Sequence, residues 1–340
     1  MESLVQGLVS VVTPVYNGEV HLSRMLDSVL DQTYDHIQMI LVDDGSSDGT
    51  LSLAESYQEA FLERGFDFLV LPGPHQCAAA AINRGLPHVV GQYLIWPDSD
   101  DVLEPDSIEL RVGFLRDNPE YHGVRSLPYY FNGDTGLPAD NWDEKMGDIS
   151  KERLFWDILE FRTYVCCGCY MLESRYLFEI YPERKIPEYS IGQNFQMLLP
   201  FMYTHRCPTI YEALYGVCIR QGSHSRTQLS QAQEEKKFRD YENLVDDIAR
   251  ICHMGKAEKK RIYRWKLQRR HQLAVKYGQK RAAVVLSLQL EVNGSHGGLN
   301  TIKTLAWACL GGTRLGGWLD KKYRWLEAKL KERKKEGISR

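Results

Sequence analysis

Three carboxylates, Asp98, Asp100 and Asp101, stand within four positions, just after the apolar run Gly91-Gln92-Tyr93-Leu94-Ile95. The run reads as a buried strand, so the acids fall where that strand leaves a sheet. Crowding them there costs repulsion and desolvation unless something positive offsets it. A divalent cation is the simplest candidate: oxygen ligands suit Mg2+ or Mn2+, commonly held by one or two carboxylates together with phosphate oxygens. The plainer alternative is that Asp100 or Asp101 caps a helix beginning near Pro105.

The elements around the cluster decide where it points. Leu8–Thr13, Met39–Val42 and Phe66–Leu71 read as further strands. They are ended by Pro14, by Asp43-Asp44-Gly45-Ser46-Ser47-Asp48-Gly49-Thr50, and by Pro72-Gly73-Pro74. Between them, Glu19–Leu30 carries Val20, Leu22, Leu26, Val29 and Leu30 on a fair helical face. Ser47 or Asp48 can cap a helix running to about Arg64, and Ala78–Asn83 opens the next. Strands alternating with helices predict βαβ units and a mostly parallel sheet, whose ligands bind beyond the carboxyl ends of the strands. Three polar clusters then share one rim: Thr13–Asn17, Asp43–Ser46 and the aspartates. No Gly-x-Gly-x-x-Gly follows the first strand and no Gly-Lys-Ser/Thr occurs, which argues against a dinucleotide cofactor and a P-loop. What remains is a nucleotide-type ligand whose phosphates are neutralised by metal.

At 340 residues the chain can bury a substantial core, as one large domain with an appendage or as two domains. The N-terminal residues have no signal-peptide character, no apolar run reaches a membrane span, and the eight cysteines lack zinc-type spacing. Free thiols and a cytoplasmic location are therefore expected. The net charge of −3 conceals a division: residues 251–340 carry 22 Lys+Arg against 6 Asp+Glu, leaving 20 against 39 for the rest. Such a basic segment is suited to an anionic surface.

Together, Thr13-Pro14-Val15-Tyr16-Asn17, Val42-Asp43-Asp44-Gly45-Ser46-Ser47-Asp48-Gly49-Thr50, Ala81-Ile82-Asn83-Arg84-Gly85 and Asp98-Ser99-Asp100-Asp101 resemble, in order and spacing, the family 2 glycosyltransferases. The resemblance implies the GT-A fold, a Rossmann-like α/β architecture with a mixed, mostly parallel sheet flanked by helices, here with a helical C-terminal extension. It implies inverting transfer of a sugar from a nucleotide diphosphate, with a UDP-sugar favoured, in a hexosyltransferase-type reaction of bacterial cell-surface polysaccharide synthesis. It also assigns roles. Thr13, Pro14, Val15, Tyr16, Asp44, Gln76, Asn83 and Asp98 would bind the nucleotide, with Asp44 accepting from a ring N–H. Asp98 and Asp100 would ligate Mn2+ or Mg2+, and Asp101 would support them. Where the family often has Asn-x-Gly before the third helix, this chain has His75-Gln76-Cys77, a departure that bears on donor identity.

The acceptor hydroxyl needs a general base. The family's acidic pair, which opens a helix in the second half, is matched here by Gln193-Asn194, and amides take no proton at neutral pH. Glu188 is the nearest candidate base, unless it is simply a surface carboxylate; Asn194 could position the acceptor instead. His224 could be a third metal ligand or an exposed loop histidine, while Arg220 and Arg226 could pair with phosphate. Aromatics such as Tyr121, Tyr129, Trp142 and Tyr164 could stack sugars or fill the core.

The expected domains are a catalytic unit over 1–227 and a basic helical region over 228–340. Within the catalytic unit, residues 1–104 would bind the nucleotide-sugar and residues 105–227 the acceptor. Within the basic region, Gln231–Cys252, Lys256 to about Leu290 and Lys321–Lys335 read as helices. That region suits peripheral contact at the inner face of a membrane, consistent with a glycan or lipid-linked acceptor, or else a bundle packed on the catalytic domain. Nucleic acid is not an expected partner. Rival readings are a nucleotide-sugar-binding protein without turnover and a nucleotidyltransferase.

Overall fold

The computed structural model describes residues 4–139, 145–220, 229–294 and 298–310. The chain divides into two compact units, one of residues 1–229 with 243–253 and one of residues 230–242 with 254–340.

The first unit is built on an eight-stranded sheet: β1 (Val5–Val15), β2 (Ile37–Asp43), β3 (Asp67–Pro72), β4 (Gly91–Ile95), β5 (Val102–Leu103), β6 (Gly123–Asn132), β7 (Tyr170–Glu173) and β8 (Thr209–Ile219). Their order is β3-β2-β1-β4-β7-β6-β8-β5. The pairs β1–β2, β1–β4, β2–β3 and β6–β8 are parallel, whereas β7 runs antiparallel to both β4 and β6, and β5 antiparallel to β8. All seven residues of β2 are buried, as a strand covered on both faces requires. Because β1, β2 and β4 are parallel, their carboxyl ends open on one rim, as the alternation of strands and helices implies.

The helices beside these strands are α1 (Leu22–Leu30), α2 (Thr50–Ser56), α3 (Gln58–Glu63), α4 (Ala78–Gly85) and α5 (Ser107–Asp117). The apolar face of α1 buries Leu22, Met25, Leu26 and Val29, but the helix starts after Val20, which is 80% exposed. The single helix expected up to Arg64 is instead α2 and α3, interrupted at Tyr57, whose hydroxyl donates to Asp27 at 2.8 Å. The N-cap of α2 is Gly49 and not Ser47 or Asp48, although Asp48, one residue earlier, accepts from the Thr50 N–H at 3.1 Å. Neither Asp100 nor Asp101 caps α5, whose N-cap is Asp106.

Beyond β6 come α6 (Phe155–Leu159), α7 (Ser174–Ile180) and α8 (Gln193–Thr204). At the far end of α8, His122 stacks on Tyr176 with ring centroids 3.7 Å apart, and His205 meets both rings edge-on. Burial holds both histidines below their ordinary values. Glu173 Oε2 lies 3.4 Å from His122 Nδ1, but burial also pushes the Glu173 carboxyl up, so desolvation of both groups outweighs their attraction.

The second unit contains a portion of α9 (Gln231–Ile251), then α10 (Lys256–Lys276), α11 (Lys280–Val292) and α12 (Gly298–Leu310). The expected continuous stretch from Lys256 to about Leu290 breaks where Gly278 takes a left-handed φ of 68°. Some of its basic charge is met internally: Arg270 binds Glu242 through two hydrogen bonds, and Arg269 lies over Phe238 and Trp265. No helix among the described residues is long and apolar enough to cross a membrane.

A histidine held neutral by burial favours the folded state at pH values above its unfolded pKa, about 6.5, and that preference is lost as the pH falls below it. His122→Phe, which keeps the stack on Tyr176, should therefore show a smaller drop in melting temperature between pH 7.5 and 5.5 than the parent protein. An unchanged drop, followed by scanning calorimetry, would remove His122 from the titration.

Candidate active site

The rim carries two buried polar centres. The first lies beyond β1 and β2. Asp44, 3% exposed, donates its N–H to the Val15 carbonyl at 2.8 Å, which fixes its backbone across the two strand ends. Its carboxylate is fully engaged: Oδ1 accepts from Arg84 of α4 at 2.8 Å, and Oδ2 accepts from the Gln76 N–H at 3.2 Å and from His75 Nδ1 at 3.0 Å. Both oxygens facing that nitrogen, Oδ2 and the Asp44 carbonyl, are acceptors, so His75 carries its proton on Nδ1. The His75 ring lies flat on Tyr16, with centroids 3.9 Å apart and planes 17° apart. Gly45 makes this approach feasible, since a Cβ there would strike the His75 backbone nitrogen.

The second centre lies beyond β4. Asp101 is 4% exposed and bonded to β8 at two points, accepting from the Tyr215 hydroxyl at 2.6 Å and from the Cys218 N–H at 2.8 Å. The same hydroxyl accepts from the Asp98 N–H at 3.1 Å, so one buried tyrosine spaces the two aspartates. The Asp98 carboxylate takes a hydrogen bond from the Cys167 thiol. Burial, then the neighbouring Asp100, pushes the Asp98 carboxyl up to about 6. Burial followed by the charges of Asp98 and Asp100 raises Asp101 well above the usual carboxylate range. Asp100 is partly exposed and forms an ion pair with Arg220, whose Nε is 2.8 Å from Oδ2.

Several supports of this centre have no signature in the sequence. Cys167 begins the 3-10 turn Cys167–Cys169, whose Gly168 lies so close to Tyr215 that a Cβ would overlap the ring. The buried Arg111 of α5 holds that turn by donating to the Gly168 carbonyl at 2.7 Å. His21, which precedes α1, is held below its ordinary value by burial and then by Arg220, with Asp100 opposing the shift. It therefore lies within electrostatic reach of the Asp100–Arg220 pair.

The remaining expected site residues divide. Tyr16 is 41% exposed at the rim and Pro14 is half-buried, but Thr13 and Val15 are buried in the sheet. Gln76 contributes its backbone N–H to Asp44. Asn83 is committed elsewhere: its amide exchanges hydrogen bonds with the Ile186 backbone at 2.8 and 2.9 Å and donates to Glu188 at 3.1 Å. Glu188 is also 3.1 Å from Lys185, and the Asn83 bond followed by the Lys185 bond lowers its carboxyl below the usual range. A base working at neutral pH needs the opposite shift, so Glu188 does not fit that role. Asn194, in the first turn of α8, accepts from Trp96 Nε1 at 3.2 Å and donates to the Val165 carbonyl at 3.0 Å. It braces the segment leading into Asp98. Tyr164, fully buried over Arg125, belongs to the core. His224, Arg226 and Trp142 lie outside the described residues.

Hard oxygen donors at Asp98 and Asp100 suit Mg2+ or Mn2+, and the raised carboxyl of Asp98 marks a site short of positive charge. Among the described residues, no cluster of three or more His, Cys, Asp or Glu side chains forms a closed cage for an ion. Two such ligands would leave coordination positions for phosphate oxygens, as is usual for Mg2+.

This fold, with two polar centres on one rim, is that of the GT-A glycosyltransferases. The model of the family described as Glycosyl transferase family 2 matches residues 10–181, and the chain belongs to that family. The putative teichuronic acid biosynthesis glycosyltransferase TuaG of Bacillus subtilis is 30% identical over 166 residues, 49% of this chain and 62% of that protein. The chain spans about a third to three-fifths of the length of such curated relatives. Two solved structures share the fold. The crystal structure of S. aureus TarS 1-349 in complex with UDP-GlcNAc has a TM-score of 0.62 at 18% identity, covering 94% of this chain and 92% of that one. The mannosyltransferase PcManGT of Pyrobaculum calidifontis, in complex with GDP-Man and Mn2+, has a TM-score of 0.52 at 18% identity, covering 94% and 79%.

The raised Asp98 carboxyl has a measurable consequence. Its folded pKa exceeds the unfolded value, so stability is lost as the pH rises from about 4 through about 6. Asp98→Asn should stabilise the metal-free protein by about 1–2 kcal/mol at pH 7.5, a figure discounted for the partial exposure of the site. Thermal unfolding in a chelator checks this, and a lower melting temperature for the variant would contradict it.

Proposed function

We propose that the chain is an inverting glycosyltransferase. It moves a sugar from a nucleotide-diphosphate donor, with a UDP-sugar favoured, to a hydroxyl of a glycan or lipid-linked glycan in cell-surface polysaccharide synthesis. The observation that carries this reading is the pair of buried centres on one rim: a carboxylate with an aromatic face for a base, and a carboxylate cluster for a diphosphate. TarS, crystallised with UDP-GlcNAc, and TuaG, named for teichuronic acid biosynthesis, support the donor and pathway class.

In this reading Asp44 and Tyr16 bind the base, while Asp98 and Asp100 hold Mg2+ or Mn2+. The Mn2+ complex of PcManGT supports a metal in a protein of this fold. When bound, the metal neutralises charge developing on the departing nucleoside diphosphate. Asp101 and Tyr215 fix the two ligating carboxylates, and Arg220 can turn from Asp100 to a phosphate oxygen. The basic C-terminal region contacts a membrane surface and brings the enzyme to a lipid-linked acceptor.

One observation favours a second reading, binding without turnover: Asn194 is spent on Trp96 and Val165, and Glu188 is held ionised by Asn83 and Lys185. Calorimetric titration with UDP-, GDP- and dTDP-sugars, with and without Mn2+, tests both. UDP-sugar binding is expected to strengthen at least tenfold with Mn2+, and Asp100→Ala should abolish that gain while leaving the metal-free affinity within about threefold. Failure of every nucleotide to bind would sink the enzyme reading. Tight binding with no sugar release or transfer across an acceptor panel would leave the binding protein.

A further inference from the structure

The Asp44 centre is already filled. Asp44 is 3% exposed, and its carboxylate already accepts from His75, Gln76 and Arg84. Tyr16 stands at the exposed edge of this centre, and His75 stacks on one face of its ring with centroids 3.9 Å apart, the contact distance of two rings with no space for a third between them. The imidazole therefore makes two contacts at once: a planar ring on the Tyr16 face, and a ring N–H to a buried carboxylate. A nucleobase bound here would make the same two.

We propose that His75 occupies the nucleobase position of the donor-free protein and is exchanged for the base when a nucleotide binds. This inference rests on the nucleotide-donor reading above. The exchange is inexpensive because Tyr16 keeps a stacked partner and Asp44 keeps a donor in both states, so no buried carboxylate is left unpaired. The local backbone allows it. His75 lies between β3 and α4, outside regular structure, and its side chain is 53% exposed, so rotation about its own side-chain bonds meets solvent. Arg84 and the Gln76 N–H remain on Asp44 throughout. His75 thus sets how tightly any base binds, and the affinity measured for a donor is the difference between two rings competing for one place.

Binding of UDP in the presence of Mn2+ separates this from a role as a wall of the slot. His75→Ala should bind UDP about fivefold to tenfold more tightly than the parent, and His75→Phe, which can stack but cannot donate, should fall between them. Pyrophosphate with Mn2+, which has no base, should bind the parent and His75→Ala alike. In proton NMR of the parent, the His75 ring protons, shielded by Tyr16, should move to the positions of an exposed histidine when UDP is added. Weaker or equal UDP binding by His75→Ala, or His75 signals that UDP does not move, would overturn the inference while leaving the nucleotide reading intact. Failure of parent and variants alike to bind UDP, GDP or dTDP would sink both.

Discussion

The site depends on keeping three aspartates together at the end of one strand. The structure does this by giving each carboxylate a different surrounding. Asp101 is buried and accepts two strong bonds from β8, Asp98 is enclosed beside the Cys167 thiol, and Asp100 faces outward to Arg220. Tyr215 is the common element, donating to Asp101 while accepting from the backbone of Asp98. Without it the loop between β4 and β5 would have to separate its charges, and the cluster would lose its geometry. Much else serves that one hydroxyl. Val102 and Leu103 pair with Gly216 and Tyr215, Gly168 makes room for the ring, and the buried guanidinium of Arg111 holds the Gly168 carbonyl.

The same economy governs the Asp44 centre. Asp44 is buried deeply enough that it cannot remain unpaired, and Arg84, Gln76 and His75 meet it from one connection and the helix that follows. Each centre therefore has a cation or ring of the protein standing where ligand chemistry would act, Arg220 on Asp100 and His75 on Asp44. Ligand binding then replaces existing interactions and does not create them from solvent, which limits both the reorganisation required and the affinity attainable.

How much of this the sequence discloses follows from how local each signal is. The parallel half of the sheet, the rim and Asp44 with the aspartate cluster were legible, because strand runs, Asp-Gly turns and a dense acidic segment are contiguous in the chain. The antiparallel insertion of β7 between β4 and β6 was not, since its four residues carry no period of their own. Tyr215 and Cys167 were invisible as site residues for a different reason. They lie more than 60 positions from Asp98, so nothing local in the chain ties either of them to it. Thr13 and Asn83, both inside well-matched motifs, proved to serve the sheet and the 186–188 segment. A motif records that residues occur together, while only packing decides which of them face outward.

Glu188 shows why proximity in sequence is a poor guide to a base. A proton acceptor at neutral pH must be deprived of the partners that stabilise its charge, yet Glu188 has Asn83 and Lys185 as close donors and is 43% exposed. Asn194, an amide and so never a proton acceptor at neutral pH, is bonded at its oxygen to Trp96 and at its nitrogen to Val165. The carboxylates raised by burial are Asp98 and Asp101. Asp101 is sealed behind Tyr215, and Asp98 belongs, in the proposed reading, to the diphosphate half of the rim. A base for the acceptor must come from a group that burial raises or that the acceptor itself desolvates, on the face away from Asp100.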